Sequence, residues 1–300
     1  MRSILAPLLS LLLTSSLSPA AAQDPPIEWG NIPKEQLAMS SYPPDTSAAA
    51  VILADYGESF LDDDLYVNFK RHLRIKILKA AGFDWGTHAI TLYTKDDYEE
   101  IDDIEGATYS LGSGGDVAVA ELESDDIFEE NLAGDLTRYR LTLPALTPGC
   151  VIELRYLIRK KSWFTMRTWH FQSPIPTLWS EYRMIIPPAI AYAISTVAFT
   201  RFSVNEVTDA VRKFLGRAES YLGSRTVTCR QHRLVMRDVP ALRDEPFITT
   251  MADYVASVEL QLAEYALQSG GTEKVLKSWE ELNEEEKILV KQVRLSLEPH

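Results

Sequence analysis

The two cysteines are the first candidates for a catalytic nucleophile in this chain. Cys150 and Cys229 are the only cysteines among 300 residues. A reactive cysteine must form a thiolate, which is stabilised at a helix N-terminus or beside a cation or a histidine. Cys150 instead follows Pro148-Gly149 at the start of an alternating strand pattern, and Cys229 lies within another. We therefore expect no thiol catalysis, and we assign no catalytic, cofactor-binding or metal-binding residue.

The same cysteines have two other interpretations. A disulfide between them would close a loop of about 80 residues and stabilise the fold by about 4 kcal/mol in the chain-entropy model. Alternatively, each is a small buried residue on a strand. The sequence leaves both interpretations open.

The histidines show no spacing typical of a zinc site. His72 falls on the polar phase of a strand, which predicts an exposed or surface-paired ring. His170 lies between Trp169 and Phe171, which predicts a packed or hydrogen-bonded structural residue. We assign neither a ligand role nor a catalytic one.

Opposite charges are concentrated in two neighbouring regions. The acidic region, Asp96 to Glu130, has fourteen Asp and Glu and no Lys or Arg. It lacks the loop spacing of an EF-hand, so we expect a solvated acidic face rather than a calcium site. The basic region runs from Arg155 to Arg167. The two regions either face each other within the protein or present a two-sided field to a partner.

Alternating hydrophobicity predicts the elements that must position these residues. Cys150, Ile152, Leu154, Tyr156 and Ile158 alternate with Val151, Glu153, Arg155, Leu157 and Arg159, as in a strand with one buried face. The aromatic residues that follow predict a second strand, with Trp163, Trp169 and Phe171 largely buried. Residues 65–77 predict another long strand, whose solvated face would carry Asn68, Lys70, His72, Arg74 and Lys76.

Many short strands with Gly and Pro turns predict a mainly β fold, a large antiparallel two-sheet sandwich with short C-terminal helices. Residues 34–39 favour a short helix, and residues 207–215 have apolar residues at helical spacing. A helical pattern begins after Thr272, a plausible N-cap. The domain prediction is a signal peptide at 1–22, a β-sandwich domain at 23–265 and a helical junction segment at 266–300.

The composition limits the partners and the compartment. A formal net charge of −13 argues against binding to nucleic acid or an anionic bilayer. Arg2, an apolar run and the small residues up to Ala22 are typical of a secretory signal peptide. We expect an exported chain, periplasmic or extracellular, with no membrane insertion after signal cleavage.

Several segments in a fixed order suggest a family. They are Ala49-Ala50-Val51-Ile52-Leu53, His72-Leu73-Arg74-Ile75-Lys76-Ile77-Leu78, Pro148-Gly149, Trp169-His170-Phe171-Gln172-Ser173-Pro174-Ile175-Pro176, and Val239-Pro240-Ala241-Leu242 before Glu245-Pro246. Their order resembles a β-rich N-terminal domain of unknown function that precedes a transglutaminase-like core in secreted bacterial proteins.

The resemblance implies a downstream core using Cys, His and Asp, and the chain stops about where such a core would begin. We therefore expect an exported non-catalytic module that binds a protein, peptide or glycan, or that docks onto a transglutaminase-like protein. The alternative is a fragment of a transglutaminase-like cysteine hydrolase or acyltransferase whose catalytic core is missing here.

Overall fold

A computed structural model describes residues 27–198, 200–243 and 255–277 of the chain. These residues form three β-sheets and two short α-helices, α1 Lys34–Ala38 and α2 Gly216–Leu222. The strands are β1 Ala50–Leu61, β2 Val67–Ile77, β3 Thr87–Tyr93, β4 Glu99–Leu111, β5 Val117–Glu121, β6 Ile127–Leu132, β7 Leu136–Thr142, β8 Val151–Lys160, β9 Trp169–His170, β10 Thr177–Ile186, β11 Ile190–Val197, β12 Val204–Lys213, β13 Thr226–Val239, β14 Ser257–Ala266 and β15 Thr272–Lys274.

The largest sheet has eight strands in the order β12-β13-β10-β1-β2-β8-β4-β5. Its neighbours are antiparallel except for β1 and β10, which pair in parallel with Ile52 opposite Thr177. β2 and β8 are neighbours near its middle, and their apolar phases supply one continuous buried row, in which Phe69 pairs with Ile158 and Leu73 with Leu154.

Two smaller sheets cover the apolar face of this sheet. One contains β3, β7 and β6, and the other contains β11, β14, β15 and β9. The main core cluster joins Phe69 and Leu154 of the large sheet to Leu92 of β3 and to Val258 and Leu260 of β14. The prediction of a mainly β fold is therefore confirmed, with the apolar side of one large sheet packed against two small ones.

The predicted pair of strands in residues 148–176 takes an unequal form. β8 is long and central, whereas the second strand is only the two-residue β9, which pairs with β14 at Ser257 and Val258. The buried aromatics are Trp169 and Phe171, but Trp163 is half-buried and Phe164 is exposed. The expectation that Trp163 is largely buried was therefore wrong.

Two helix predictions were wrong because strand pairing overrides local spacing. Residues 207–215 were expected to form a helix, but most of them belong to β12, which pairs with β13 from Val204 to Lys213. Val207 and Val211 are four residues apart, and this spacing places side chains on one face of either a helix or a strand. Thr272 begins no helix, since β15 pairs with the end of β14.

Some predictions concern residues outside the described ranges. The signal peptide at 1–22 and the rest of the helical junction segment, from residue 278 onward, lie there. Within the described ranges, no helix has both the length and the apolar character needed to span a bilayer.

Trp169 fills the centre of the main core cluster. Its indole ring stacks on Tyr182 with ring centroids 5.3 Å apart, and its Nε1 donates a hydrogen bond to Ser180 Oγ at 3.1 Å. Opposite the ring lies Gly57, where an added Cβ would meet indole carbon Cζ3 at 2.4 Å. The glycine is thus required by the close approach of the ring, and the ring is held on both sides.

Replacing Trp169 by alanine is expected to lower the free energy of unfolding by about 3 to 5 kcal/mol, as for other buried aromatic side chains. Phe164→Ala is the matched control, because Phe164 is 51% exposed and its loss should cost less than about 0.5 kcal/mol. Urea unfolding followed by circular dichroism measures both. Equal effects of the two substitutions would contradict this packing.

Candidate binding site

The face of the large sheet opposite the core carries a row of polar side chains across its central strands. Glu181 of β10 is opposite Tyr56 of β1, which is opposite His72 of β2, and the row continues through Arg155 of β8 to Glu105 of β4. Directly paired residues point to the same side of a sheet, so this row and the charged residues beside it define one surface, here called the charged face.

One end of the charged face is covered by residues 27–39. Trp29 lies against His72 and Arg155, with its ring 5.7 Å from the imidazole and 4.7 Å from the guanidinium carbon. Leu37 joins Val151 in a small apolar cluster on the same side. The expectation that the even-numbered residues of β2 face solvent is therefore wrong for Arg74 and Lys76, which are buried here, and also for Asn68, which is buried elsewhere on the strand, whereas Lys70 is exposed.

Glu153 is the centre of the covered part. Its side chain is fully buried and accepts hydrogen bonds from Arg74 Nη2 at 2.6 Å and from the backbone nitrogen of Gly30 at 3.0 Å. His72 Nε2 lies 2.8 Å from the same carboxylate. Burial alone would raise the pKa of Glu153, but the bonds from His72, Gly30 and Arg74 outweigh it and lower this pKa. The carboxylate is therefore held ionised.

Lys76 makes a second link from β2 to the covering residues. Its buried Nζ donates to the carbonyl oxygen of Leu37 at 2.7 Å and also to that of Gly149. Burial lowers the pKa of Lys76 to about 8. The lysine thus joins α1 to the turn before β8 and is not available to a ligand.

A second buried carboxylate, Glu181, lies on the other side of Tyr56. Arg183 Nε donates to its Oε1 at 2.7 Å and Arg233 Nε does so at 2.8 Å, while Trp179 Nε1 donates to Oε2 at 3.0 Å. Arg233 also bonds Glu206 at 3.0 Å. Glu153 and Glu181 are thus each paired with arginine and hydrogen-bonded, as a buried carboxylate requires.

An open cleft of about 490 Å³ lies on the charged face, and its lining includes His72, which is bonded to Glu153, and Tyr56, which pairs with Glu181. A bulge in β4 widens its wall, because Asp103 has a positive φ of 52° where the pairing with β8 shifts register. The residues lining the cleft are Tyr56, Lys70, Arg71, His72, Asp103, Glu105, Arg155, Tyr156 and Leu157. It therefore offers cationic donors and carboxylate acceptors within one concave surface.

The acidic and basic regions meet at this cleft. β4 and β8 are neighbours, and Arg155 Nη2 lies 2.6 Å from Glu105. Arg167 lies 3.6 Å from Glu99 further along the same boundary. Of the two arrangements that the sequence left open, the two regions face each other within the protein.

Neither cysteine lies near the cleft lining. Both thiols are free and buried, and they belong to separate core clusters, Cys150 with Ile52 and Cys229 with Phe214. Burial raises the pKa of each thiol, away from the reactive thiolate. Within the described ranges, no group of three or more His, Cys, Asp or Glu side chains is placed to hold a metal ion.

The histidines are placed differently from the sequence expectations. His72 is half-buried and paired, but its partner is the buried Glu153 rather than another surface residue. His170 is exposed rather than packed, although its backbone pairs with Ser257. His88, to which no role was assigned, has a buried Nε2 atom without a hydrogen-bond partner in the described part of the chain.

The residues that organise the charged face were missed by sequence reasoning. Glu153 was recognised only as one residue of an alternating strand pattern, and Glu181 and Tyr56 received no role. A weak signal existed: Glu153 follows the apolar residues Val151 and Ile152 in its strand, and an ionisable residue that is buried there needs a partner. The signal does not tell which partner.

A mainly β domain with a charged, partly covered face and a polar cleft is the class that the fold and site define. The family model described as "Domain of Unknown Function with solved-structure structure (DUF3857)" matches residues 64–213, and the chain belongs to this family. The resemblance to a β-rich domain of unknown function is thereby confirmed, whereas its transglutaminase-like context stays a prediction. No curated protein matches the chain.

One solved structure is similar in fold. It is the crystal structure of a "putative protease" from Parabacteroides distasonis ATCC 8503, with a TM-score of 0.53 and 13% sequence identity. The match covers 72% of this chain and 41% of that one. The chain therefore spans less than half the length of that protein, and at this identity the likeness shows the fold alone.

Replacing Glu153 by glutamine is expected to destabilise the fold by about 3 to 5 kcal/mol, because Arg74 would stay buried without its counter-charge. Glu105→Gln is the control, since that carboxylate is exposed and its pair with Arg155 should contribute less than about 1 kcal/mol. Urea unfolding at pH 7 tests both. The lowered pKa of Glu153 adds stability that is present above pH 4 to 5 and lost in stronger acid, so the difference from wild type should narrow there.

His88 is expected to make the fold sensitive to mild acid. Burial, and then the nearby Arg71, lower the pKa of His88 to about 4. Between about pH 6.5 and pH 4 the unfolded chain therefore takes up a proton that the folded chain does not, and stability falls as the pH falls. His88→Gln should remove this part of the slope when unfolding free energies are compared at several pH values. If the unfolding free energies of variant and wild type depend on pH in the same way, His88 takes up its proton as readily in the folded chain as in the unfolded one, which contradicts the lowered pKa.

Proposed function

We propose that this chain is an exported, non-catalytic binding module that associates with a transglutaminase-like protein, and that the cleft of the charged face is its contact surface. The observation that carries the proposal is the cleft itself, a concave site at the boundary of the acidic and basic regions. Its lining carries the ion pair of Arg155 with Glu105 and contains no Ser, Thr or Cys. Such a surface selects by charge pattern and does not supply a reaction.

The chemistry of the cleft favours a polypeptide among the partners considered. Lys70 and Arg155 present cationic groups, and Asp103 and Glu105 present carboxylates a few residues away across β4 and β8. A peptide segment with both charge signs can satisfy both walls at once, whereas a neutral glycan can satisfy neither charge. Opposed charges at such a surface chiefly set specificity and the rate of association.

Two further observations support an accessory role. The segment order that resembles domains ahead of transglutaminase-like cores suggests a partner of that class. The similar solved structure belongs to a protein more than twice as long as the matched part, so this fold occurs there beside other residues. Export follows from the signal-peptide pattern at 1–22.

The cleft should bind a mixed-charge peptide. An eight-residue peptide of alternating glutamate and lysine, with blocked ends, is titrated into the 15N-labelled protein and followed by chemical-shift changes. Arg155→Ala and Lys70→Ala should each weaken binding at least about fivefold, roughly 1 kcal/mol. Lys213→Ala, an exposed lysine on β12, should leave it unchanged. Equal binding by all variants, or shifts confined to residues away from the cleft, would exclude this site.

The chain alone should not incorporate amines into glutamine-containing peptides or hydrolyse such peptides. Both thiols are buried with raised pKa values, and this reaction needs an activated thiolate. The assay is repeated with Cys150→Ser and Cys229→Ser. Turnover that disappears on either substitution would support the alternative, a transglutaminase-like cysteine hydrolase or acyltransferase.

A further inference from the structure

The eight-stranded sheet ends in β5, and this edge has no strand beside it in the described part of the chain. β5 pairs with β4 alone. Edge strands are usually protected by proline, lysine, a bulge or a covering segment. β5 reads Val117-Ala118-Val119-Ala120-Glu121, with no proline or lysine and no register shift in its pairing.

The ladder with β4 fixes which backbone groups of β5 are left open. The hydrogen bonds Gly112 N to Asp116 O and Leu122 N to Gly106 O, each 2.8 Å, flank the strand on either end. Bonded positions alternate in an antiparallel ladder, so Ala118 and Ala120 bond to β4. The N–H and C=O groups of Val117, Val119 and Glu121 therefore point away from the sheet.

The surroundings of this edge are apolar in the middle and acidic at the ends. Val117 is 41% exposed and Val119 is 52% exposed. Asp116 precedes the strand, Glu121 ends it, and the exposed Asp125 follows. The edge lies within the acidic region, which contains no lysine or arginine.

We propose that β5 is a strand-addition site, at which an extended segment of another protein pairs antiparallel with β5 and carries lysine or arginine at its ends. The backbone groups of Val117, Val119 and Glu121 supply the ladder bonds. Apolar side chains of the segment cover Val117 and Val119, and its cations meet the carboxylates at both ends of the strand. This surface is separate from the cleft and goes beyond the function proposed above.

A second copy of the chain fits this edge poorly. Antiparallel pairing of β5 with itself about Val119 would place Glu121 of one copy beside Val117 and Asp116 of the other, and like charges near each other across strands are destabilising. Each chain also has a net charge of −13. Charge complementarity thus selects a basic partner over self-association.

The test uses the whole chain and a defined probe. The probe is a seven-residue peptide of alternating valine and threonine with lysine at each end, blocked termini and a fluorescent label. Binding is measured by anisotropy, and amide hydrogen exchange is measured by NMR. In the free protein the amides of Val117, Val119 and Glu121 should exchange fast, and those of Ala118 and Ala120 slowly. Saturating peptide should slow exchange at the three open amides at least tenfold.

Matched changes separate backbone pairing from charge. Val119→Pro removes an open N–H without touching the ladder to β4 and should weaken binding at least tenfold. Val211→Pro is the control on β12, at the opposite edge of the sheet. Because Phe214 N is bonded to Arg225 O, the backbone N–H of Val211 also points away from the sheet. This variant should change binding less than twofold. The double variant Glu121→Lys with Asp125→Lys should also weaken binding at least tenfold and leaves the backbone intact, so it decides the question if Val119→Pro fails to fold.

Several results would overturn the proposal. They are no binding of the lysine-ended peptide at millimolar concentration, equal binding of a glutamate-ended peptide, equal binding of a peptide N-methylated at its valines, or unchanged exchange at Val117, Val119 and Glu121. Lys70→Ala and Arg155→Ala should leave binding of this peptide unchanged, because they alter the cleft and not the edge. Loss of binding in those two variants would place the peptide in the cleft. This result would contradict the strand-addition site but not the function proposed above.

Discussion

The structure depends on one buried carboxylate. Glu153 is the third residue of β8 and has no exposure to solvent, and a buried ion is tolerated only if it is paired and hydrogen-bonded. Its partners come from two places: Arg74 and His72 on the neighbouring strand β2, and the backbone of Gly30 in the covering segment. Pairing of this charge therefore holds residues 27–39 on the charged face, and these residues reduce the part of the face that is accessible to solvent.

The location of the cleft follows from this covering. On the charged face, the cover formed by residues 27–39 reaches as far as Trp29, which lies against His72 and Arg155. The part of the polar row beyond Trp29 is left accessible. Arg155 is thereby held from one side by the indole ring and from the other by Glu105. An arginine fixed in this way loses little side-chain entropy when it binds a ligand, which is a property of preorganised sites.

Much of the strand content could be predicted from the sequence, because a period of two reports directly which residues share a face. The pattern in residues 65–77 located β2 and separated its two faces correctly. It could not tell that Arg74 and Lys76 are buried, since alternation distinguishes polar from apolar sides and not open from covered ones. Residues 27–39 are distant from β2 in the sequence and adjacent to it only in the folded structure. They contain too few apolar residues for the sequence to indicate which strand they cover.

The site could be predicted in part. The acidic and basic regions were recognised, but their contact depends on β4 lying beside β8, a pairing that strand periodicity does not specify. The same limit explains β12, where Val207 and Val211 satisfy helical and extended spacing alike and only the presence of β13 decides between them.

The parallel pairing of β1 with β10 has a consequence for the order of assembly. β1 forms a hairpin-like pair with β2 within a short length of chain, yet its other side is completed only by β10, after β2 to β9 have been made. Pairing of β10 with β1 closes a long loop of chain. This step is slow because the conformational entropy of the loop is lost before the stabilising contacts between the strands are formed. Until then, one side of β1 stays unpaired at what becomes the middle of the sheet. The free edge of β1 is therefore exposed to incorrect strand pairing until β10 has been formed and has paired with it.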